Sequence, residues 1–523
     1  MLNLTTNQDS FSRQLPKNLI YNAIYFVINI LIGILIVPYF IDTLGVTGYA
    51  LIPLATSMTG YVNLLILSLN TSVSRYLTIE LQKEDFKSAN ITFNTALFGA
   101  SGFTLLLIPV IIIISYYLPI FFDVPTNLQQ ETILLFIGVM GSVLIRTLGG
   151  NYGVSLFAYN RLDLQNIVNI INIAVQVILI VTLFSVFSPK LSYIGFSYII
   201  AALISLIVTI IFSKKINPHL KVNIQDFKTS HLKKLTETGG WMLIDQLGTL
   251  LLFQIDIIVV NKMFGMTIGG EYSIILVWST LIRAIAGVLA SVLTPVIFTY
   301  YAKKMYEEIV LISKSAVKFM GLATALPIGL ICGFAPQILS LWVGPEFSKL
   351  APLMWILIGH LAINMSVLPL FPINVAFNKV RIPALVTVIM GIGNLLLAIA
   401  LPMITGWEYY GVAIAGAIVL TVRHIFFVPY YATKILRISK NTFSSSIFLG
   451  LLSTLAVTGV SIIAHNYFSI TSLIELIVSS FIISIIYGAL LFEIGLSQHE
   501  RRMIESLIPP KIRSQLKIEA LFH

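Results

Sequence analysis

The chain has 523 residues, of which 57% are hydrophobic and only 10% are charged. A soluble protein of this length needs more charged side chains to cover its surface, so the composition excludes that class and predicts an all-α protein that crosses a membrane many times. The formal net charge of +10 would favour a nucleic-acid partner in a soluble protein, but here the positions of the charges point to membrane topology instead.

Apolar stretches separated by short polar turns predict about fourteen transmembrane helices, each long enough to cross a bilayer at about 1.5 Å per residue. The first stretch follows a polar segment, residues 1–17, and shows no small-residue cleavage pattern, so it is interpreted as a retained helix. The predicted helices cover residues 19–41, 49–77, 90–117, 132–158, 166–187, 191–213, 239–263, 271–300, 314–341, 350–376, 383–405, 409–433, 444–464 and 470–494.

The lysine and arginine residues are distributed very unevenly about these helices. With a cytoplasmic N-terminus, three of the 32 lie in external segments or at the external end of a span (Lys190, Lys262 and Lys349). Three lie near the middle of spans, and the remaining 26 lie in cytoplasmic segments or at the cytoplasmic ends of spans. This asymmetry follows the positive-inside rule and predicts a multi-pass membrane protein with both termini in the cytoplasm. Residues 214–238 are predicted to be a basic cytoplasmic linker near anionic lipid headgroups, and residues 497–523 a cytoplasmic tail, either solvated or lying on the membrane.

Two halves of the chain repeat the same pattern. The turn after the first helix, residues 44–49, resembles the turn after the seventh, residues 264–272, and the sequence FAYNR at 157–161 returns as VAFNK at 375–379, 218 positions later. Six helices separate equivalent segments, an even number, so both repeats have the same orientation in the membrane.

The duplication predicts two pseudo-symmetric six-helix lobes that flank a central site. We expect the lobes at residues 1–213 and 239–436, followed by two additional transmembrane helices within residues 437–496. Their axis of pseudo-symmetry should run along the membrane normal.

Residues 241–265 form an apolar stretch that contains two acids, Asp245 and Asp256. Eleven residues are about three helical turns, so both carboxylates and Thr249 between them are expected on one face. A charge facing lipid costs at least roughly 2.5 kcal/mol on insertion scales, so that face should meet protein or a watery cavity. One interpretation is coupling to a proton or a sodium ion, and the other is a structural partnership with an arginine.

Three arginines lie near the middle of predicted spans: Arg146, Arg283 and Arg423. The guanidinium group suits bidentate contact with phosphate oxygens, so these residues are candidates for binding an anionic substrate. Alternatively, each pairs with an acid or a carbonyl and fixes helix packing, and Arg423 could also extend to the inner interface. His360 is interpreted as a hydrogen-bonded packing residue.

The sequence contains no signal for catalysis. Motifs that cradle phosphate, bind zinc or present a nucleophile are absent, and the polar turns are too short to form a catalytic domain. One cysteine excludes a cysteine-built metal site. We therefore expect no enzyme activity, no metal and no cofactor.

Short features in a fixed order carry a resemblance to a known family: Leu44, Gly45, Gly48 and Tyr49 in the first turn, Ser74-Arg75-Tyr76 at the end of the second helix, and Asp256 shortly before Phe264-Gly265. Over roughly residues 15–440 the chain resembles the multidrug/oligosaccharidyl-lipid/polysaccharide exporter superfamily. Within that superfamily it is most similar to the Wzx-type polysaccharide (O-antigen) flippases.

The resemblance implies a V-shaped pair of lobes that work by alternating access. It implies that the substrate is a glycan on undecaprenyl diphosphate, and that Arg146 and Arg283 meet the diphosphate and acidic sugars. The first two spans lack the central arginines of the branch that moves peptidoglycan precursors, which makes lipid II a less expected cargo. MATE drug exporters place an acid in the first helix, where this chain has Asn22 and Asn29.

The predicted function is therefore ion-coupled transport of a lipid-linked oligosaccharide for polysaccharide or lipopolysaccharide (O-antigen) biosynthesis. The expected partners are this substrate, membrane lipids, a proton or sodium ion and other polysaccharide assembly proteins. One alternative is a MATE-like antiporter of organic cations, which should have a negative cavity. Another is a membrane scaffold for glycan synthesis, which would transport nothing.

Overall fold

The computed structural model describes residues 4–230 and 240–495, and within these ranges all regular elements are helices. Twelve described helices are long and apolar enough to cross a membrane, or thirteen if the bent pair Leu243–Phe253 and Ile255–Phe264 forms one span. The all-helical membrane class is confirmed. The number fourteen stays a prediction, since Leu4–Gln82 contains two helices that meet at a kink at Gly45, as the first two predicted helices do.

The helices are numbered here in chain order. The α-helices are α1 (Leu4–Gln82), α2 (Phe86–Phe121), α3 (Thr126–Ala158), α4 (Leu162–Val186), α5 (Leu191–Ile216), α6 (Gly240–Phe253), α7 (Ile255–Phe264), α8 (Met266–Ser291), α9 (Leu293–Ala302), α10 (Tyr306–Gly333), α11 (Ala335–Trp342), α12 (Ala351–Gly359), α13 (Leu361–Ser366), α14 (Phe371–Ala376), α15 (Arg381–Thr405), α16 (Glu408–Val422), α17 (Val428–Leu436), α18 (Ser444–Phe468) and α19 (Leu473–Leu490). Short 3₁₀ helices cover Ile224–Asp226, Pro345–Leu350 and Leu368–Leu370, and π-helical turns cover Arg423–Phe427 and Leu491–Gly495.

Equivalent turns of the two repeats share unusual backbone angles. Gly45 interrupts α1 with φ 70° and ψ 168°, and Gly265 follows α7 with φ 82° and ψ 170°. Only glycine adopts these angles without strain, which explains the residue type at both turns. The hydroxyl groups of Thr47 and Thr267, which follow the two glycines, lie 3.0 Å apart. The two matching turns therefore touch each other.

The chain packs as two compact units that differ from a simple division into halves. Unit 1 contains Met1–Val277 and Arg381–Gly416, and unit 2 contains Trp278–Val380 and Ala417–His523. The lobes at residues 1–213 and 239–436 stay a prediction, because contact within a unit does not define a structural repeat.

The first part of the predicted linker is held against unit 1 by two asparagines on α2. Asn90 donates to the His219 carbonyl at 3.0 Å and accepts from the Lys221 amide at 2.8 Å. Asn94 donates to the Lys221 carbonyl and accepts from the Asn223 amide, both at 2.8 Å. These side chains form the hydrogen bonds that the backbone of residues 219–223 would otherwise form with a neighbouring β-strand. Residues 231–238 of the linker and the predicted tail, 497–523, lie outside the described residues.

Glycines set a close helix contact in unit 1, between α3 and α5. A Cβ atom on Gly138 would overlap the backbone of Gly195, so the two helices approach without side chains between them. Near the C-terminal ends of the same two helices, the hydroxyl groups of Ser155 and Ser213 lie 2.7 Å apart. Small and hydroxyl-bearing residues thus replace the hydrophobic effect, which does not drive helix association within lipid.

We predict that Gly138→Val lowers the thermal stability of the purified protein, because the added side chain must separate α3 from α5. Overpacking of this kind costs about 1–3 kcal/mol. Gly141→Val, one turn away, is the matched control, since nothing lies within 4 Å of a Cβ at that position. Unfolding temperatures measured in the same lipid nanodiscs should fall for the first variant only, and equal temperatures would contradict the packing described.

Candidate functional site

The predicted site residues occupy three places in the two units. Asp256 lies in a buried contact of unit 1, and Arg146 lines a cavity of the same unit. Arg283 and Arg423 belong to unit 2, where they meet two histidines. We consider these places in turn.

Asp256 lies directly after a break in a membrane-spanning helix. The axes of α6 and α7 differ by 41°, and Gln254 between them has φ −122° and ψ −12°. Asp256 is in the first turn of α7 and is 8% exposed. A helix N-terminus presents unpaired N–H groups and a partial positive charge, both of which stabilise a carboxylate.

One amide group completes this arrangement. The side chain of Asn394 on α15 donates to Oδ1 of Asp256 at 3.1 Å and to the Leu251 carbonyl at 3.1 Å. The break removes the helical donor that Leu251 would otherwise have, and the Asn394 side chain replaces it. The same amide therefore stabilises both the broken helix and the acid beside the break.

Further oxygen atoms lie in this part of unit 1. The side-chain oxygens of Tyr61, Gln254 and Asn394 are buried and form no hydrogen bond within the described residues. The hydroxyl of Tyr61 interacts electrostatically with Asp256, and a Cβ on Gly416 would lie 2.9 Å from the second carboxylate oxygen. Carboxylate, carbonyl and hydroxyl oxygens are the donors that hard cations prefer, so this site can bind a proton or a small cation.

Asp245 does not share these surroundings. Its side chain is exposed on α6, and its carbonyl accepts a hydrogen bond from the Thr249 hydroxyl at 2.8 Å. The expectation that both acids lie on one face of one straight helix is wrong, because the chain bends at Gln254 between them.

Unit 2 contains a cluster of four basic side chains, Arg283, His360, Arg423 and His424, which we call the basic cluster. The charge of Arg283 acts on both histidines, and the charge of Arg423 acts on His424. His360 lies between α12 and α13, and Arg423 and His424 begin a π-helical turn. Such irregular turns are frequent at functional sites, because they redirect side chains and release backbone groups.

Two members of the basic cluster, His360 and Arg423, have contacts that describe their surroundings. Nδ1 of His360 bonds the Ile356 carbonyl at 2.9 Å, while its Nε2 is buried and forms no hydrogen bond within the described residues. Arg423 is 8% exposed, and its guanidinium carbon lies 5.6 Å from the ring centre of Phe371, which is a cation–π contact. Arg423 is therefore buried in unit 2.

Arg146 is exposed on α3 and lines a polar cavity within unit 1. Among the residues that the structure describes, no carboxylate forms an ion pair with it. Its position in a membrane-spanning helix therefore requires water or a ligand beside it, because an exposed guanidinium in lipid is costly.

Some residues of these sites were absent from the sequence-based prediction. His424, Gln254 and Asn394 were not singled out as site residues, and His360 was interpreted as a hydrogen-bonded packing residue. A single sequence gives a weak signal for them, namely polar residues inside apolar spans, but their grouping depends on which helices pack together.

Comparison with known proteins gives a consistent result. The family model described as "Polysaccharide biosynthesis protein" matches residues 15–301. The chain is 28% identical over 485 residues to the "Uncharacterized membrane protein EpsK" of Bacillus subtilis (strain 168), a match that covers 92% of this chain and 96% of EpsK.

Two solved structures share the fold. The lipid II flippase MurJ in an inward closed conformation has a TM-score of 0.59 and 15% identity, covering 91% of this chain and 98% of MurJ. A multidrug resistance MATE family transporter in an inward-facing conformation has a TM-score of 0.58 and 16% identity, covering 82% of this chain and 94% of that one. At these identities the likeness concerns the fold alone.

We predict that Asn394→Leu destabilises the protein, since it removes the side-chain donor to the Leu251 carbonyl and one hydrogen bond to Asp256. Losing the partner of a buried polar group costs about 1–3 kcal/mol. Asn63→Leu is the control, because Asn63 is exposed on α1. Thermal unfolding in nanodiscs should distinguish the two variants, and equal losses would show that the amide contact is dispensable.

Proposed function

This chain belongs to the polysaccharide biosynthesis protein family, and on that premise we propose that it is a flippase for a lipid-linked oligosaccharide. Its substrate is a glycan on undecaprenyl diphosphate, moved from the inner to the outer leaflet of the bacterial inner membrane by alternating access. The resemblance to polysaccharide exporters found in the sequence is confirmed at the level of the family.

The observation that carries the proposal is the basic cluster of unit 2. Arg283 and Arg423 belong to membrane-spanning helices, where the charge of Arg283 acts on both histidines and the charge of Arg423 acts on His424. A guanidinium group keeps its positive charge in a medium of low dielectric constant, where its attraction for an anionic ligand is stronger than in water. A diphosphate provides several negatively charged oxygens for bidentate contacts with Arg283 and Arg423.

The fold does not distinguish this function from export of organic cations, because MurJ and MATE structures match it about equally well. The sign of the charge does distinguish them. A site for organic cations should be acidic, whereas the basic cluster would repel such a substrate. The chain is accordingly proposed to be a transporter of an anionic lipid-linked glycan rather than a drug antiporter or an enzyme.

We further propose that transport is coupled to a proton or a sodium ion at Asp256. Support comes from the buried carboxylate, the adjacent oxygen atoms and the break between α6 and α7. Binding of a cation would neutralise the carboxylate and so change its interactions with Asn394 and with the N-terminus of α7. Asp245 is a weaker candidate, because its side chain is exposed.

On this proposal the basic segments face the cytoplasm, where substrate assembly also takes place. Both termini are then cytoplasmic, and the linker lysines lie near anionic lipids. Other polysaccharide assembly proteins are expected partners.

Arg283→Ala should reduce surface glycan at least about tenfold, because a lost charge-assisted hydrogen bond is worth roughly 1.5–3 kcal/mol. Surface glycan would be measured in a deletion strain that carries the variant gene, with the membrane-inserted protein quantified in parallel. Lys303→Ala is the matched control, since it removes one positive charge from an exposed turn of the same unit. Normal glycan in both Arg283→Ala and Arg423→Ala cells would contradict the proposal and favour the scaffold.

Asp256→Asn should abolish the dependence of transport on the proton or sodium gradient, because the amide cannot exchange a proton or hold the charge of a cation. Flipping in proteoliposomes would be measured with each gradient imposed separately, and compared with Asp245→Asn. If the dependence disappears only in Asp245→Asn, the coupling site has been assigned to the wrong acid.

A further inference from the structure

Residues 351–376 of unit 2 form a membrane-spanning segment that is not one continuous helix. The segment consists of α12, α13, a 3₁₀ turn and α14, and it belongs to a candidate membrane span, Pro345–Ala376. Pro369 and Pro372 have no backbone N–H to donate within it. Such breaks persist at membrane depth where protein or water bonds the freed polar groups. Polar side chains along this segment therefore need partners of the same kind.

The side-chain amide of Asn364 on α13 is completely buried. The residue is 0% exposed, and neither its Oδ1 nor its Nδ2 atom forms a hydrogen bond within the described part of the chain. A carboxamide has two donor hydrogens and an oxygen that accepts twice. Burying all of this capacity without a partner is costly, and in folded proteins such groups bond either protein atoms or ordered water. The amide of Asn364 therefore requires a small polar partner inside unit 2.

His360 presents a second buried polar atom on the same face. The backbone N–H of Asn364 donates to the His360 carbonyl at 3.3 Å, so the two residues are one helical turn apart. Nδ1 of His360 bonds the Ile356 carbonyl at 2.9 Å. Because a carbonyl oxygen only accepts, Nδ1 carries a proton, and Nε2 of the neutral ring is an acceptor. This Nε2 atom is also buried and forms no hydrogen bond to any described residue.

The chemistry of these two groups suits a neutral molecule that both donates and accepts. A metal ion is disfavoured because the positive charge of Arg283 acts on His360, and an anion is disfavoured by the lone pair of Nε2. Side chains one turn apart on a helix have Cβ atoms about 5–6 Å from each other. One water molecule spans such a gap with two hydrogen bonds of about 2.8 Å. Water therefore matches both the size and the polarity of this place.

The repeated sequence pattern gives independent support. At the repeat offset of 218 positions, Asn364 corresponds to Arg146. Arg146 lines a polar cavity of about 190 Å³ in unit 1, between α3, α4 and α5. A polar side chain thus occupies the matching position of a membrane-spanning segment in both repeats, and in each case it needs water or a ligand beside it.

We propose that His360 and Asn364 form a binding site for ordered water within the membrane, in which one water molecule bridges Nε2 of His360 and the amide of Asn364. The charge of Arg283 acts on His360. The bound water therefore lies in the field of that guanidinium and contributes to the hydration that a charge at this depth requires. The inference does not depend on the proposed function, because it rests on the contacts of α12 and α13 and on no substrate.

The first test is radiolytic footprinting of the full chain in lipid nanodiscs. X-rays convert bound water to hydroxyl radicals in place, and these oxidise neighbouring side chains, which mass spectrometry then quantifies. Met365, next to Asn364 in the chain, is 4% exposed, and Met354 on α12 is the matched control at 0%. We expect Met365 to be oxidised at least about tenfold faster than Met354, because only Met365 lies beside the ordered water. In the Asn364→Leu variant the two rates should become equal.

The second test is the direction in which Asn364→Leu changes thermal stability. If water bonds the amide, the substitution removes these hydrogen bonds, and the unfolding temperature should fall by a few degrees. Ile358→Leu is the control for repacking, because Ile358 is equally buried on α12 and the swap conserves volume.

Two results would overturn the inference. One is a higher unfolding temperature for Asn364→Leu, since replacing a dry, unbonded amide by an apolar side chain is stabilising. The other is oxidation of Met365 no faster than that of Met354 in the native chain, a result that needs no variant to fold. Neither result bears on the flippase proposal, which is tested by export in Arg283→Ala and Arg423→Ala cells.

Discussion

A bilayer offers no water to a polar group in its core, and this constraint explains where the unusual residues of the chain lie. Each polar atom in a span must find a protein partner or a watery cavity. Asn394 illustrates the first solution, since its amide stabilises both the Asp256 carboxylate and the carbonyl left by the helix break. Arg146 illustrates the second, because it lines a cavity with other polar groups.

The all-helical membrane class could be predicted from the sequence because it depends on composition and on local pattern. Hydrophobic stretches long enough to span a bilayer need no tertiary information. The equivalent turns at Gly45 and Gly265 could likewise be matched by their residues, and their backbone angles agree.

The candidate sites were harder to predict because they depend on breaks in helices. The three-turn spacing of Asp245 and Asp256 assumes a straight helix, but the chain bends at Gln254, where Asn394 from another helix takes over a backbone hydrogen bond. Nothing local to residues 241–265 encodes that partner. The π-helical turn that begins at Arg423 is similar, and Gln165 and Asn169 become cavity residues only once three helices pack together.

The acid and the basic cluster lie in different units, and this separation bears on how an ion could drive transport. An ion shifts a conformational equilibrium only as far as its affinity differs between the two conformations. Asp256 lies at a helix break, so the donors around its carboxylate depend on the angle between α6 and α7. A change in that angle would alter the affinity for a cation, and ion binding would in turn favour one angle. The anionic substrate proposed above would, by contrast, need a site whose positive charge persists, and the arginines of unit 2 keep theirs at every physiological pH.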